Sequence, residues 1–313
     1  MAEQTDPWND RAFLRDVQYR TDANLAARQS IYAYQHPRID LPPLVLDLVP
    51  PGPGETVVDV GCGNGAYLAE LARRGFGGRV LGLDLSPGML AAARDRLTSA
   101  APASPSGASS PSGASSPSGA SSPSDAASAS GAARASGVAG SAGAAAAAGV
   151  ALAAADAAAL PLPDAVSDLT LAMHMLYHVP DPSQAVRELR RITRPGGRVV
   201  IMLNGRDHLR QLREAVAAAQ VGAIMRSQRE RVTLDDGEAL ASSYFSSVTR
   251  HDFPSELRVP DPGPVVDYVR SMSGTQHAAD PERLVAAVAA RFPAGPDAAL
   301  TITTHTGCLI CTV

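Results

Sequence analysis

Residues 55–65 read Glu-Thr-Val-Val-Asp-Val-Gly-Cys-Gly-Asn-Gly, a short apolar run that breaks into glycine at every second position. Such a run, bounded by glycines, reads as a buried strand that turns sharply into the next element. Gly61, Gly63 and Gly65 permit the positive φ angles of a tight turn and let a ligand approach the backbone closely. Ala66–Arg74 follows with helical spacing and a basic end. The stretch is therefore a strand, a glycine turn and a helix.

The same alternation continues outward. Arg79–Leu85 (RVLGLDL) predicts a second strand, and Ser86–Pro87 then reads as an N-cap with proline at the first helical position. That helix is predicted through Met89–Leu97. Val150–Ala155 is a weak third strand, Leu169–Met173 a fourth and Arg198–Leu203 a fifth. Helix Ser183–Thr193 joins the last two and stops at Arg194–Pro195–Gly196–Gly197. Strands and helices alternating at this length imply a parallel sheet covered on both faces. Further on, Asp207–Gln220, Pro264–Ser271 and Pro281–Phe292 read as helices, and Tyr244–Asp252 and Thr301–Val313 as strands.

Residues 98–149 interrupt this pattern. The unit SPSGAS recurs from Ser104 to Ser124, and a Gly/Ala/Ser tract follows to Gly149. With almost no large apolar side chain, the segment cannot offset its own ordering entropy and predicts a disordered insertion. It falls between a helix and the strand that the helix should deliver the chain to. Neither side is complete alone, so the expectation is one domain over 1–313. Its parts are a helical cap (1–50), a core (51–97 and 150–205), the insertion (98–149), and pocket helices with the final strands (206–313).

Bulk properties narrow the class. The 313 residues carry 27 basic and 31 acidic side chains, a formal charge of −4, and no basic run of the kind that nucleic acid attracts. The polar start MAEQTDPWND and the lack of a long apolar stretch predict a cytoplasmic chain with no membrane partner. Cys308 and Cys311 sit in a β-like run, where positions three apart face opposite ways, so packing explains them better than a metal.

In a doubly wound sheet the ligand sits beyond the carboxyl ends of the strands, where strand order reverses. The glycine spacing here is G-x-G-x-G, whereas a dinucleotide site prefers G-x-G-x-x-G. Small residues such as Ala66 are accepted at the last place, so the loop alone leaves an adenosyl sulfonium and a dinucleotide both open. Asp84 closes the next strand, about 20 residues beyond the loop, where a carboxylate can accept both hydroxyls of a ribose. A helix-capping or merely solvated aspartate is the plainer alternative.

The segments VVDVGCGNG (57–65), LGLDLS (81–86), AADAAALPLPD (154–164), SDLTLAMHMLYHVPD (167–181) and RPGGRVVI (194–201) occur in one order. In that order the chain resembles class I S-adenosyl-L-methionine-dependent methyltransferases, of the bacterial small-molecule type, over roughly residues 55–205. QYRTDANLAARQSIY (18–32) is similar to the helix that precedes the core in many of them. The resemblance implies a Rossmann-like sheet of seven strands, mostly parallel with one antiparallel strand, and S-adenosyl-L-methionine as cofactor. It also implies that Asp59, Gly61, Cys62 and Gly63 line the methionine and ribose part, Asp84 takes the ribose diol, and Leu85 lies against the adenine. Asp156 and the Ala157 N–H would meet the adenine edge, and His174 would sit beside the methyl-donor end.

Methyl transfer from a sulfonium is an in-line displacement, so the protein mainly positions the nucleophile and excludes water. His174 and His178 are candidate general bases after the fourth strand, where histidine titrates near neutral pH. His178 could equally brace the loop that it precedes, and His174 could contact the cofactor without acting as a base. Arg28 reads either as a partner for the methionine carboxylate or an acidic substrate, or as an exposed helix arginine. His208, His251 and His277 are candidates for the acceptor pocket, with a surface or loop position the simpler reading of each. A nicotinamide-dependent oxidoreductase and a non-catalytic cofactor-binding module remain as rivals to a methyltransferase acting on a small molecule. The oligomeric state is not legible.

Overall fold

A computed structural model of the chain describes residues 9–100, 149–218, 232–272, 281–293 and 299–313. Of the insertion at 98–149, all but residues 98–100 and Gly149 lies outside these residues, as does His277.

Strand β1 is Gln35–His36, β2 Thr56–Val60, β3 Arg79–Asp84, β4 Val150–Ala154, β5 Ser167–Met173, β6 Thr193–Asn204, β7 Ser247–Val259 and β8 Leu300–Thr312. They form one sheet in the order β1-β7-β8-β6-β5-β2-β3-β4. From β2 the chain moves outward to β3 and β4, then crosses back to β5 and β6 on the other side. The order therefore reverses between β2 and β5, which pair in parallel through Val57↔Leu169 and Asp59↔Leu171. A cleft opens at such a point because the two following connections leave on opposite faces.

Helix α1 is Arg11–Phe13, continued by a π-helical turn over Leu14–Gln18. The others are α2 Ala23–Ser30, α3 Leu41–Leu48, α4 Ala66–Arg73, α5 Pro87–Ala100, α6 Pro182–Ile192, α7 Arg210–Ala218, α8 Leu234–Ser242, α9 Gly263–Arg270 and α10 Pro281–Ala289. Side chains alternate across the sheet, as the period of two requires. Val58, Val199, Ile201, Leu309 and Cys311 join α6 and α8 in one core cluster. Val57, Val200, Met202 and Cys308 join α3 and α4 in another on the opposite face. Cys308 and Cys311 thus point apart. Helix α6 illustrates why each layer forms: Asp181 caps it by accepting the Ser183 and Gln184 N–H groups, and Ala185, Val186, Leu189 and Ile192 make one buried stripe. A third cluster, built from Leu14, Ile31, Leu212, Val265 and Val269 on Leu257, Val259 and Ile302, seats the N-terminal segment and the late helices over the β7–β8 end.

Two features differ from the sequence expectation. The sheet has eight strands, because Gln35–His36 pairs antiparallel with Leu257 and Glu256 at its edge. Proline at 37 biases the residue before it toward extended backbone, which suits that edge. β8 is antiparallel to both neighbours, so with β1 there are two antiparallel strands rather than one. Helix α6 stops at Ile192, just before Arg194–Gly197 as expected, but that segment is no separate turn: it bulges within β6, where Ser167 pairs with Thr193 and Leu169 with Arg198. Gly196, at φ +74°, makes that bulge possible. Among the described residues no helix is long and apolar enough to cross a membrane.

Candidate functional site

The glycine turn lies at the carboxyl end of β2. Gly61 and Cys62 both donate their N–H to the Leu83 carbonyl (2.7 and 2.9 Å), which clamps the turn to β3. Gly61, Gly63 and Gly65 have φ of +73°, +54° and +76°. A Cβ on Gly61 would stand 2.7 Å from the Met175 Cβ, and one on Gly65 2.9 Å from the Ala93 Cβ. A Cβ on Gly63 would meet only Leu25, at 3.7 Å. Packing thus demands the outer two glycines, whereas the middle one faces open space over the turn.

Asp84, ending β3, ties the turn from the other side. Its Oδ2 accepts the Gly63 N–H and its Oδ1 the Ser86 N–H, each at 2.8 Å. Burial raises the Asp84 pKa, and the N–H donors of Ser86, Gly63 and Leu85 hold part of that rise back. The bracing role and a ribose-binding role are compatible, since each carboxylate oxygen accepts more than one hydrogen bond. Asp59, the neighbouring carboxylate on β2, is 0% exposed. Neither of its oxygens has a hydrogen-bond partner among the described residues. Burial first, and the nearby Asp84 second, push its pKa up to about 8.

Both carboxylates line a cavity of about 260 Å³ that also takes in Gly61, Cys62, Gly63, Leu85, Asp156, Ala157, His174 and His178. All the predicted cofactor residues therefore meet in one place. Cys62 is buried against Gly82, which leaves room for its sulfur, and burial raises its thiol pKa well above normal. Asp156 accepts the Ala158 N–H (2.9 Å) and forms an ion pair with Arg11 of α1. His174 adopts φ +54°, its N–H donates to the Met202 carbonyl (3.1 Å), and burial lowers its pKa to about 4. It is neutral at pH 7.

The N-terminal segment roofs this cavity. Ser86 Oγ donates to the Tyr19 carbonyl (2.6 Å) while accepting the Gly88 and Met89 N–H groups as the cap of α5. Tyr19 Oη and His178 Nε2 are 3.0 Å apart. Arg28 lies over the Tyr19 ring, 5.4 Å from its centroid.

Beside the first cavity is a second of about 120 Å³, which shares Tyr19, Arg28, Tyr177 and His178 with it. His208 lines it and is 7% exposed, a buried position rather than a surface one. Its Nδ1 accepts the His305 N–H (3.2 Å), so its own proton is on Nε2, which faces Tyr32 Oη at 3.0 Å. Burial holds its pKa down at about 3. His208 is a neutral donor with its lone pair engaged, not a base. His251 is on β7, opposite Cys308, and lines neither cavity. The two Tyr–His contacts gave no sequence signal, because each joins the N-terminal segment to a loop far along the chain.

A family model described as a methyltransferase domain matches residues 32–243. The chain belongs to that family, and its fold is that of the class I S-adenosyl-L-methionine-dependent methyltransferases. An uncharacterized methyltransferase of Mycobacterium bovis is 26% identical over 236 residues, 74% of this chain and 70% of that protein. An uncharacterized 37.1 kDa protein of a Streptomyces fradiae transposon is 31% identical over 159 residues, covering 50% of this chain. The matched part is about a third of that relative's own length (32%). The solved structure of phosphoethanolamine N-methyltransferase 2 of Haemonchus contortus, determined with S-adenosyl-L-methionine, aligns with a TM-score of 0.53 at 18% identity. The alignment covers 96% of this chain and 59% of that one.

Proposed function

We propose that this chain transfers the methyl group of S-adenosyl-L-methionine to a small-molecule acceptor by in-line displacement. The observation that carries the reading is Asp59, a buried carboxyl group with no hydrogen-bond partner among the described residues, in the lining of the larger cavity. Buried without a partner, Asp59 keeps its proton up to about pH 8 in the ligand-free protein, and the ammonium of the cofactor's methionine part would stabilise it as a carboxylate. S-adenosyl-L-methionine brings an electrophilic methyl on a sulfonium; the protein has to hold it and present the acceptor.

In this reading Asp59 receives the ammonium and the backbone of Gly61, Cys62 and Gly63 lies along the methionine and ribose part. Asp84 accepts the ribose diol and Leu85 packs against the adenine. Asp156 accepts from the adenine amino group once Arg11 swings away, with the Ala157 N–H beside it. His174, held neutral by its burial, flanks the donor end. His178 stands where the two cavities join, within reach of an acceptor proton, and its contact with Tyr19 Oη orients the ring. The second cavity, about 120 Å³, supports a small acceptor group rather than a macromolecular one.

Calorimetric titration with S-adenosyl-L-methionine and its demethylated product tests the donor half. Asp84→Ala is expected to weaken binding by about 1–3 kcal/mol, the range for a charged hydrogen bond left unmade. Unchanged affinity in that variant would remove the ribose assignment. Transfer of labelled methyl to low-molecular-weight material from cell extract tests the acceptor half. Binding without transfer to any such fraction would favour a non-catalytic module.

A further inference from the structure

The two cavities that meet at His178 differ in their charged linings. The larger has three carboxyl groups in its lining, Asp59, Asp84 and Asp156, and three arginines, Arg11, Arg15 and Arg28, of which Arg11 pairs with Asp156 and Arg15 with Asp16. The smaller has no Asp or Glu in its lining among the described residues, but three arginines, Arg28, Arg206 and Arg213. A cavity of one sign focuses the field on whatever enters it. The carboxyl groups of the larger cavity suit a sulfonium and an ammonium. The basic side has no role in the proposed donor reading.

Arg28 is the group at the boundary. Its Nη1 donates to the Ser271 carbonyl (3.1 Å) and its guanidinium lies over the Tyr19 ring. Its Nη2 is buried and has no hydrogen-bond partner, and no carboxylate pairs with it among the described residues. A buried cationic donor left open is costly, and a planar guanidinium matches an oxyanion better than any neutral acceptor. Behind it, Arg213 is held by donating to the Arg206 carbonyl (2.7 Å) and to the His208 carbonyl, which fixes a second positive charge in the wall. His208 adds none, being neutral. Among the described residues the smaller cavity's charged lining is thus all positive, with Arg28 at the shared mouth.

We infer that the methyl acceptor carries an oxyanion, a carboxylate or a phosphate, which Arg28 receives at the mouth of the smaller cavity; this rests on the methyltransferase reading above. The oxyanion anchors the acceptor so that its nucleophile lies toward His178 and the donor side.

The test uses the full chain saturated with S-adenosyl-L-homocysteine, so that the cofactor's own carboxylate is already in place. Binding of malonate, inorganic phosphate and uncharged malonamide is then measured by calorimetry and by thermal shift. Malonate or phosphate should bind at least tenfold tighter than malonamide, and the tighter of the two identifies the kind of oxyanion. Arg28→Gln should lose at least tenfold in anion affinity with under threefold change in S-adenosyl-L-homocysteine affinity, while Arg28→Lys should retain part of it. Equal binding of malonamide and both anions would overturn the inference, and this arm needs no variant. A large loss of S-adenosyl-L-homocysteine affinity in Arg28→Gln would also overturn it, by giving the arginine to the cofactor. Failure of the unmodified chain to bind S-adenosyl-L-homocysteine at all is visible before any anion is added, and would strike the methyltransferase reading instead.

Discussion

Replacing Asp59 by Asn should make the ligand-free protein more stable above neutral pH and worse at holding its cofactor. The buried Asp59 carboxyl has its pKa pushed up to about 8, while an unfolded aspartate ionises near 3.8. Between those values the folded state keeps a proton that the unfolded state releases. Stability therefore falls as pH rises through that window, by up to about 1.4 kcal/mol per pH unit. His174 and His208 act the other way: burial holds them at about 4 and about 3 against an ordinary 6.5. Their contribution grows as pH rises toward 6.5 and is complete above it. From pH 6.5 to 8 the Asp59 effect therefore stands nearly alone. Over that interval it amounts to about 1.5–2 kcal/mol, allowing for its tapering near the folded pKa.

For a protein of this size that is roughly 3–7 °C in Tm. Scanning calorimetry of the ligand-free protein at pH 6.5, 7.25 and 8 should show this decline in the wild type and a nearly flat line in Asp59→Asn. The variant should also bind S-adenosyl-L-methionine at least tenfold more weakly, because an amide cannot neutralise the ammonium. Parallel pH profiles for the two proteins would refute the argument that Asp59 is buried without a counter-charge.

Two further outcomes follow from the roof and the junction. A Cβ on Gly88 would lie 1.9 Å from the Arg20 carbonyl oxygen, so Gly88→Ala should lift the N-terminal segment off α5. Limited proteolysis within residues 9–22 should accelerate, and cofactor affinity should drop severalfold with little change in the Tm of the core. His178→Gln should lower kcat by about 10²–10⁴, the usual yield of a general base, with cofactor affinity unchanged and the acid limb of the pH–rate profile lost. A fall of less than tenfold with the limb intact would leave His178 as a brace for its loop.

The parts of the fold that were legible in the sequence are those specified locally. The apolar run ending at Gly61, the Ser86–Pro87 helix start and the stripe of α6 each carry their signal within one turn or one strand. Strand β1 was not legible because two residues have no period; its pairing is supplied by β7, far along the chain. His208 read as a loop histidine because its burial is created by Tyr32 and His305, neither of which is near it in sequence.

The site divides along the same physical line. The residues proposed to contact the cofactor, such as Asp84, Gly61 and Gly63, stand at recognisable positions at the end of a strand or just after one. What a side chain lacks has no sequence signature. Asp59 and Arg28 are an ordinary strand aspartate and an ordinary helix arginine until the surrounding elements are in place. Only then is it apparent that, among the described residues, Asp59 has no donor and Arg28 no acceptor at its second nitrogen. The same elements keep the two apart, since Asp59 lies next to the end of β2, beneath the glycine turn, and Arg28 lies on α2 in the roof. Had they met, they would have neutralised each other and left nothing for ligands of opposite charge to satisfy. On the proposed reading, their separation across the junction at His178 leaves a carboxyl group for the donor's cation and a guanidinium for the acceptor's anion.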